Sequence, residues 1–342
     1  IDCEQGDCTS FMNWVHIWDG VHLSAEALRE EGYDQLKEYD VVMMSGNLYC
    51  IQDIIKIGNL LKDTDTVTMF YPEGSLRLYD GSIHHFQPEY YEAWNACDIV
   101  SSAEEDKIGY YTSFITNPRT IVRFIHVPMS EAMSAGDFFV PRSLKENYAV
   151  VYGDNNTNHP MIAIACARRL GLQVLTIAID KGKIDGMKRV FPDVNFYSMT
   201  KLSQNFFLRY LSRSVIHFYP TDWIGTAREQ IACASVGTVC IGNHDSHTQK
   251  RLYPESLAFD IYDIEGMTMA ADSLIHDHSV YDLIAREAFE KAKFYNLENT
   301  KARFMEAVNS ARKIKGMKEG MLVSIHLEER RREPGKMTEA VG

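Results

Sequence analysis

Apolar positions come in two patterns along this chain. Unbroken apolar runs at 39–45 (YDVVMMS), 66–71 (TVTMFY) and 98–101 (DIVS) predict strands covered on both faces. Between them, Leu48–Leu61 and Pro88–Ala96 carry the spacing of helices. Such alternation implies a parallel sheet with helices on either side. The second half repeats the scheme: strand at Tyr148–Tyr152, polar loop at 153–159, helix at Pro160–Leu170 with its Pro in the first turn and Gly171 just past its end, and strand at Gln173–Ile179. A short strand is expected near Val194, and two more at Val215–Tyr219 and Thr238–Ile241, flanking a helix that carries Glu229. From Asp282 onward the pattern is helical, and Glu328–Arg332 is a charge run typical of a solvated tail.

Ligands of open parallel sheets bind beyond the carboxyl ends of the strands. The segments expected there are Gln5-Gly6-Asp7, Ser45-Gly46-Asn47, Pro72-Glu73-Gly74-Ser75 and Ser101-Ser102-Ala103-Glu104 in the first half, and the stretch Leu211–Gly242 in the second. In the second half a turn and a helix start converge on one spot. Backbone N–H groups around Gly225 and Thr226 would face an anion such as a diphosphate, favoured by the helix dipole, and Glu229 would accept hydrogen bonds from vicinal hydroxyls.

The run Asp222-Trp223-Ile224-Gly225, followed by Glu229-Gln230-Ile231-Ala232-Cys233 and Gly237-Thr238-Val239-Cys240-Ile241, resembles the nucleotide-sugar site of retaining glycosyltransferases of the GT-B fold, in particular the family 4-like group. Cys97–Ser102 resembles that group's strand ending in serine, and Ile125–Pro128 with Phe138–Pro141 its exit into the linker. The resemblance implies an α/β protein of two Rossmann-like domains facing across a cleft, an acceptor-side domain at 1–145, a nucleotide-sugar domain at 146–310, and a C-terminal helix and charged tail at 311–342. It implies transfer of a sugar from a nucleotide-sugar substrate to an acceptor hydroxyl, with retention and with no cofactor or metal. The acceptor stays open among a carbohydrate, a small molecule and a modified nucleobase.

Residue roles follow from the same likeness. Glu73 stands where many relatives carry a His near the acceptor, and Asp222 resembles the acid that opens the donor turn, although it lies one position closer to Glu229 than in the family pattern. Tyr197 and Ser198, expected just after the short strand near Val194, resemble the nucleobase edge. Relatives place an Arg and a Lys on the diphosphate from the loop at 153–159; this chain has Asn155 and Asn156 there, and Lys250 and Arg251, beyond the strand at Thr238, are the candidate replacements.

Composition narrows the setting. A chain of 342 residues, 45% hydrophobic, is long enough for two ordinary domains with proper cores. Its net charge of −12 disfavours non-specific attraction to polyanions. The seven cysteines are an odd number scattered through apolar segments, which reads as reduced core thiols and a cytoplasmic setting. No apolar run reaches the ~18 residues of a membrane span. Asn243–His247 and His276–His278 are rich in potential metal ligands, yet they read as solvated loop residues. The first residue is Ile1, and the family's first strand would lie upstream of Gly6. A non-catalytic nucleotide- or sugar-binding protein, or a GT-B epimerase or phosphorylase, would account for the same donor-side pattern.

Overall fold

The computed structural model describes residues 20–46, 50–72, 88–152, 159–177, 181–199, 204–221 and 228–317. The first half runs α1 (Ala25–Glu31), β1 (Val41–Gly46), α2 (Ile51–Leu61), β2 (Val67–Pro72), α3 (Glu89–Ala96), β3 (Ile99–Ser102), α4 (Ile108–Ser113) and β4 (Ile121–Phe124). Its four strands pair in parallel in the order β1-β2-β3-β4, with Val41 opposite Val67 and Ile99 opposite Ile121. All residues of β2 and β3 are buried, as the unbroken apolar runs require. One face of the sheet is covered by α2 and α3, where the fully buried Trp94 meets the rings of Tyr91 at 4.8 Å and Tyr111 at 5.0 Å.

After α5 (Glu131–Ala135) the chain continues through β5 (Glu146–Tyr152), α6 (Pro160–Arg169), β6 (Gln173–Ile177), α7 (Lys181–Val190), β7 (Phe196–Met199), α8 (Gln204–Arg213), β8 (Ser214–Tyr219), α9 (Arg228–Val236), β9 (Cys240–Asn243), α10 (His247–Leu252) and β10 (Ala258–Phe259). These strands form a second parallel sheet in the order β10-β9-β8-β5-β6-β7. Three helices close the described chain: α11 (Ile264–His276), α12 (His278–Ala292) and α13 (Leu297–Ile314). Asp263, Asp277 and Asn296 cap their first turns, each side chain accepting from a backbone N–H.

Two strands start later than the sequence suggests. The N–H of Thr238 bonds the Cys233 carbonyl at 2.9 Å to finish α9, so β9 begins at Cys240 rather than Thr238. Val194 sits in a turn closed by its N–H on the Phe191 carbonyl, and the edge strand is 196–199; Tyr197 and Ser198 therefore lie within β7, not beyond it.

The turn after α9 depends on Gly237, which has φ +74° and no room for a side chain: a Cβ there would lie 2.9 Å from both Phe139 Cε2 and the Val140 carbonyl oxygen. Gly237→Ala combines left-handed strain with a clash against backbone. It is expected to destabilise the protein by roughly 2–4 kcal/mol, read as a lower urea midpoint at unchanged slope.

The last helix returns to the first sheet. Phe304, Ala307, Val308 and Ala311 of α13 pack on Val67, Met69, Ile99 and Ile125, covering the face opposite α2 and α3. The helix passes residue 310 without a break, so the C-terminal piece expected from 311 is the end of an element that begins at Leu297. Beyond it, Lys315 Nζ is buried against the Thr66 carbonyl at 2.7 Å, the Leu61 carbonyl at 3.2 Å and Asp98 Oδ2 at 3.2 Å. The chain thus passes between the sheets twice, after β4 and before α13. The two passages are joined by the Met129 N–H to the Tyr295 carbonyl (2.8 Å), by His126 against Tyr295 and by Phe124 stacked on Phe294.

Candidate functional site

The carboxyl ends of the two sheets meet where the segment after β3 touches the segment after β9. Glu104, only 3% exposed, places its carboxylate at the first turn of α10: Oε1 lies 3.2 Å from Ser246 Oγ and 3.5 Å from the Thr248 amide nitrogen, and Oε2 accepts from the His247 N–H at 3.3 Å. A carboxylate suits that position because helix N-termini present unsatisfied N–H donors. Burial, reinforced by the charge of Asp106, nevertheless pushes its pKa up to about 7; the two backbone amides and Lys107 only partly offset this.

From Ser246 the network continues into the second domain. The Ser246 hydroxyl also lies 3.1 Å from Gln230 Oε1 and has one proton to share between Gln230 and Glu104. Gln230 Nε2 donates to Gln249 Oε1 (3.0 Å), and Gln249 Nε2 donates to the carbonyls of Cys240 and Leu257, both at 3.0 Å. Gln230 and Gln249 are completely buried, so these bonds are required to offset their desolvation. Gly242 of β9 lets the two amides pack over the strand, since a Cβ there would sit 2.6 Å from Gln249 Oε1.

Glu229 lies next to Gln230 in the first turn of α9 and is half-buried. The buried Tyr219 at the end of β8 lies near Glu229; burial first and the negative charge of Glu229 second hold its phenol well above the usual range. Tyr219 stacks in turn on His217, with centroids 5.9 Å apart, and burial lowers the His217 imidazole to about 4, so it is neutral. Glu229 thus stands at the carboxyl end of the sheet, where open α/β folds take ligands.

Of the other expected site residues, Glu73, Asn155, Asn156, Asp222, Gly225 and Thr226 lie outside the described residues. Lys250 is exposed in the last turn of α10. Arg251, beside it, is engaged elsewhere: its guanidinium pairs with Glu105 and lies 4.0 Å over the Phe294 ring, joining the turn after β3 to the end of α12. Tyr197 is 55% exposed on β7, and its carbonyl accepts from Thr176 Oγ1 at 3.1 Å. Among the described residues there is no group of three or more His, Cys, Asp and Glu side chains that could hold a metal ion. From the sequence, Glu104 falls in a segment beyond the carboxyl end of a strand but receives no role of its own, and neither do Tyr219, Gln230 or Gln249; the residues that meet the Glu104 side chain lie more than 140 positions away.

No family model matches the sequence, and comparison with curated proteins finds no match. Solved structures do match. Sucrose-phosphate synthase from Thermosynechococcus elongatus aligns with a TM-score of 0.64 at 13% identity, over 84% of this chain and 80% of that one. An alpha-glucosyltransferase in complex with UDP-glucose and DNA containing an abasic site aligns at 0.57 and 12% identity, over 83% of both chains. A mutant of S. aureus TarM, in complex with fondaparinux, alpha-GlcNAc-glycerol and UDP, aligns at 0.58 and 10% identity, over 72% of this chain and 51% of TarM. The fold is GT-B. In GT-B terms, β1–β4 with the returning α13 make the first Rossmann-like half and β5–β10 the second, and Glu104 and Glu229 stand on the carboxyl-end side of each.

Proposed function

We propose that this chain transfers a glycosyl group from a nucleoside diphosphate sugar to an acceptor hydroxyl, with retention at the anomeric carbon. The observation that carries the reading is the placement of Glu229 within the GT-B frame: a carboxylate in the first turn of the helix after β8, beside helix-start amides suited to an anion. The donor's hydroxyls would bond Glu229. The leaving diphosphate and the cationic sugar would be stabilised by fixed dipoles rather than by a protein nucleophile. The base is taken to be uracil because UDP or UDP-glucose accompanies the neighbouring TarM and alpha-glucosyltransferase structures.

Calorimetric titration with UDP, followed by incubation with UDP-glucose or UDP-GlcNAc and NMR assignment of the product anomer, tests the proposal. Absence of both UDP binding and sugar release would overturn it. Two acceptor arms belong in the assay. Glycans come first, because a net charge of −12 works against a DNA backbone; DNA bearing an HMU base, as in one neighbouring complex, is the second. The mechanism calls for no divalent ion, so EDTA is expected to leave the rate within about 2-fold of the untreated enzyme; a loss restored by Mg²⁺ or Mn²⁺ would contradict it. A reducing, cytoplasmic setting fits the five described cysteines, all of them buried.

A further inference from the structure

We propose that Glu104 is a positioning residue, the contact through which the first sheet fixes α10 and, by way of Ser246 and Gln230, the helix that carries Glu229. Three observations support this. Glu104 belongs to the first half of the molecule, yet its described side-chain partners all belong to the second. Those partners lie at the start of α10, and the Ser246 hydroxyl also lies 3.1 Å from the side-chain oxygen of Gln230, the neighbour of Glu229. Glu104, Ser246 and Thr248 are buried, which limits the competition of water for the contact.

As a carboxylate, Glu104 has acceptors for the His247 and Thr248 amides and the Ser246 hydroxyl together; a glutamine has one acceptor oxygen, and its NH2 group would face the remaining donors. Asp106 on its own segment opposes ionisation and Lys107 favours it. From α10, His247 is kept below its usual imidazole value, chiefly by burial, while Arg251 is neutralised by Glu105. The buried phenols of Tyr111 and Tyr295 approach from α4 and from the second passage between the sheets, and both are raised by burial, so they stay neutral. None of these groups replaces the carboxylate as an acceptor for the α10 amides.

The kinetic consequence rests on the glycosyl-transfer reading, whereas the structural contact can be tested without it. Glu104→Gln keeps the shape and one acceptor oxygen but cannot ionise. At pH 8 its kcat for transfer from UDP-glucose should be lower by ~10-fold, with the KM for UDP-glucose within ~3-fold, since the contact aligns the two halves rather than binding the donor. Glu104→Asp should recover part of the rate. Hydrogen exchange of the His247 and Thr248 amides provides the independent arm: at pH 8 they should exchange at least ~10-fold faster in Glu104→Gln than in wild type. Equal protection in the two proteins, or a variant that keeps the full kcat, would overturn the proposal. If no UDP-sugar is turned over by wild type, the exchange result alone decides for or against the contact, and only the glycosyl-transfer reading falls.

Discussion

Replacing Glu229 by alanine is expected to lower kcat/KM for a UDP-sugar by on the order of 10²-fold, with the fold retained. A charge-assisted hydrogen bond to a donor hydroxyl contributes roughly 1.5–3 kcal/mol, which corresponds to about 10- to 150-fold. The structural cost is smaller. Glu229 is half-buried at a helix start, where a negative charge contributes about 0.3–1 kcal/mol through the dipole. Glu229→Gln keeps the shape and an acceptor oxygen but removes the charge, so its stability should fall by no more than that amount while kcat/KM falls ~10-fold. Kinetics unchanged in folded Glu229→Ala would place the residue outside the donor site.

Lys315→Met should cost about 3–5 kcal/mol of stability, one of the largest single-residue effects in the molecule. The Lys315 ammonium is 4% exposed and serves three acceptors, two of them backbone carbonyls at the end of α2 and ahead of β2, the third Asp98. Asp98 is itself buried and receives the Thr68 N–H at 2.8 Å and hydroxyl at 3.0 Å. Methionine fills much the same volume, yet it leaves a buried carboxylate short of its cation and two carbonyls short of a donor. Urea unfolding measures the loss. Lys315→Met combined with Asp98→Asn should recover part of it, because removing both charges is less costly than stranding one. A loss below about 1 kcal/mol in the single variant would show that the pair is solvated.

The sheets could be read from the sequence because strands buried on both faces leave an unbroken apolar run, as in TVTMFY at 66–71, which becomes β2 with every residue buried. The strand boundaries were less legible. Thr238 looks like the start of a strand, yet its N–H is taken by the end of α9, and nothing local to GTVCIG records that choice. Glu229 could be found because a helix-start acid after a strand has a physical signature in the chain itself. Glu104 could not, since its partners are more than 140 positions away and an acidic run carries no mark of burial. The same holds for Arg251: a basic pair beyond a strand suggests an anion clamp, but the guanidinium is turned to Glu105 and Phe294 by contacts that only the assembled fold creates.

The double passage of the chain between the sheets restricts how the halves can move. A single tether would let one half swing and twist about any direction. Here two segments run side by side, tied by the Met129 N–H to the Tyr295 carbonyl and by the Phe124–Phe294 stack, so the easy motion is rotation about the one line they share. The seam at that line stays shut while the distance across the far rim changes most, in proportion to its lever arm. A small torsional change among residues 125–130 and 293–296 would therefore appear as a much larger opening of the cleft between the halves. Substitutions that stiffen or loosen this pivot should act on how far and how fast that cleft opens.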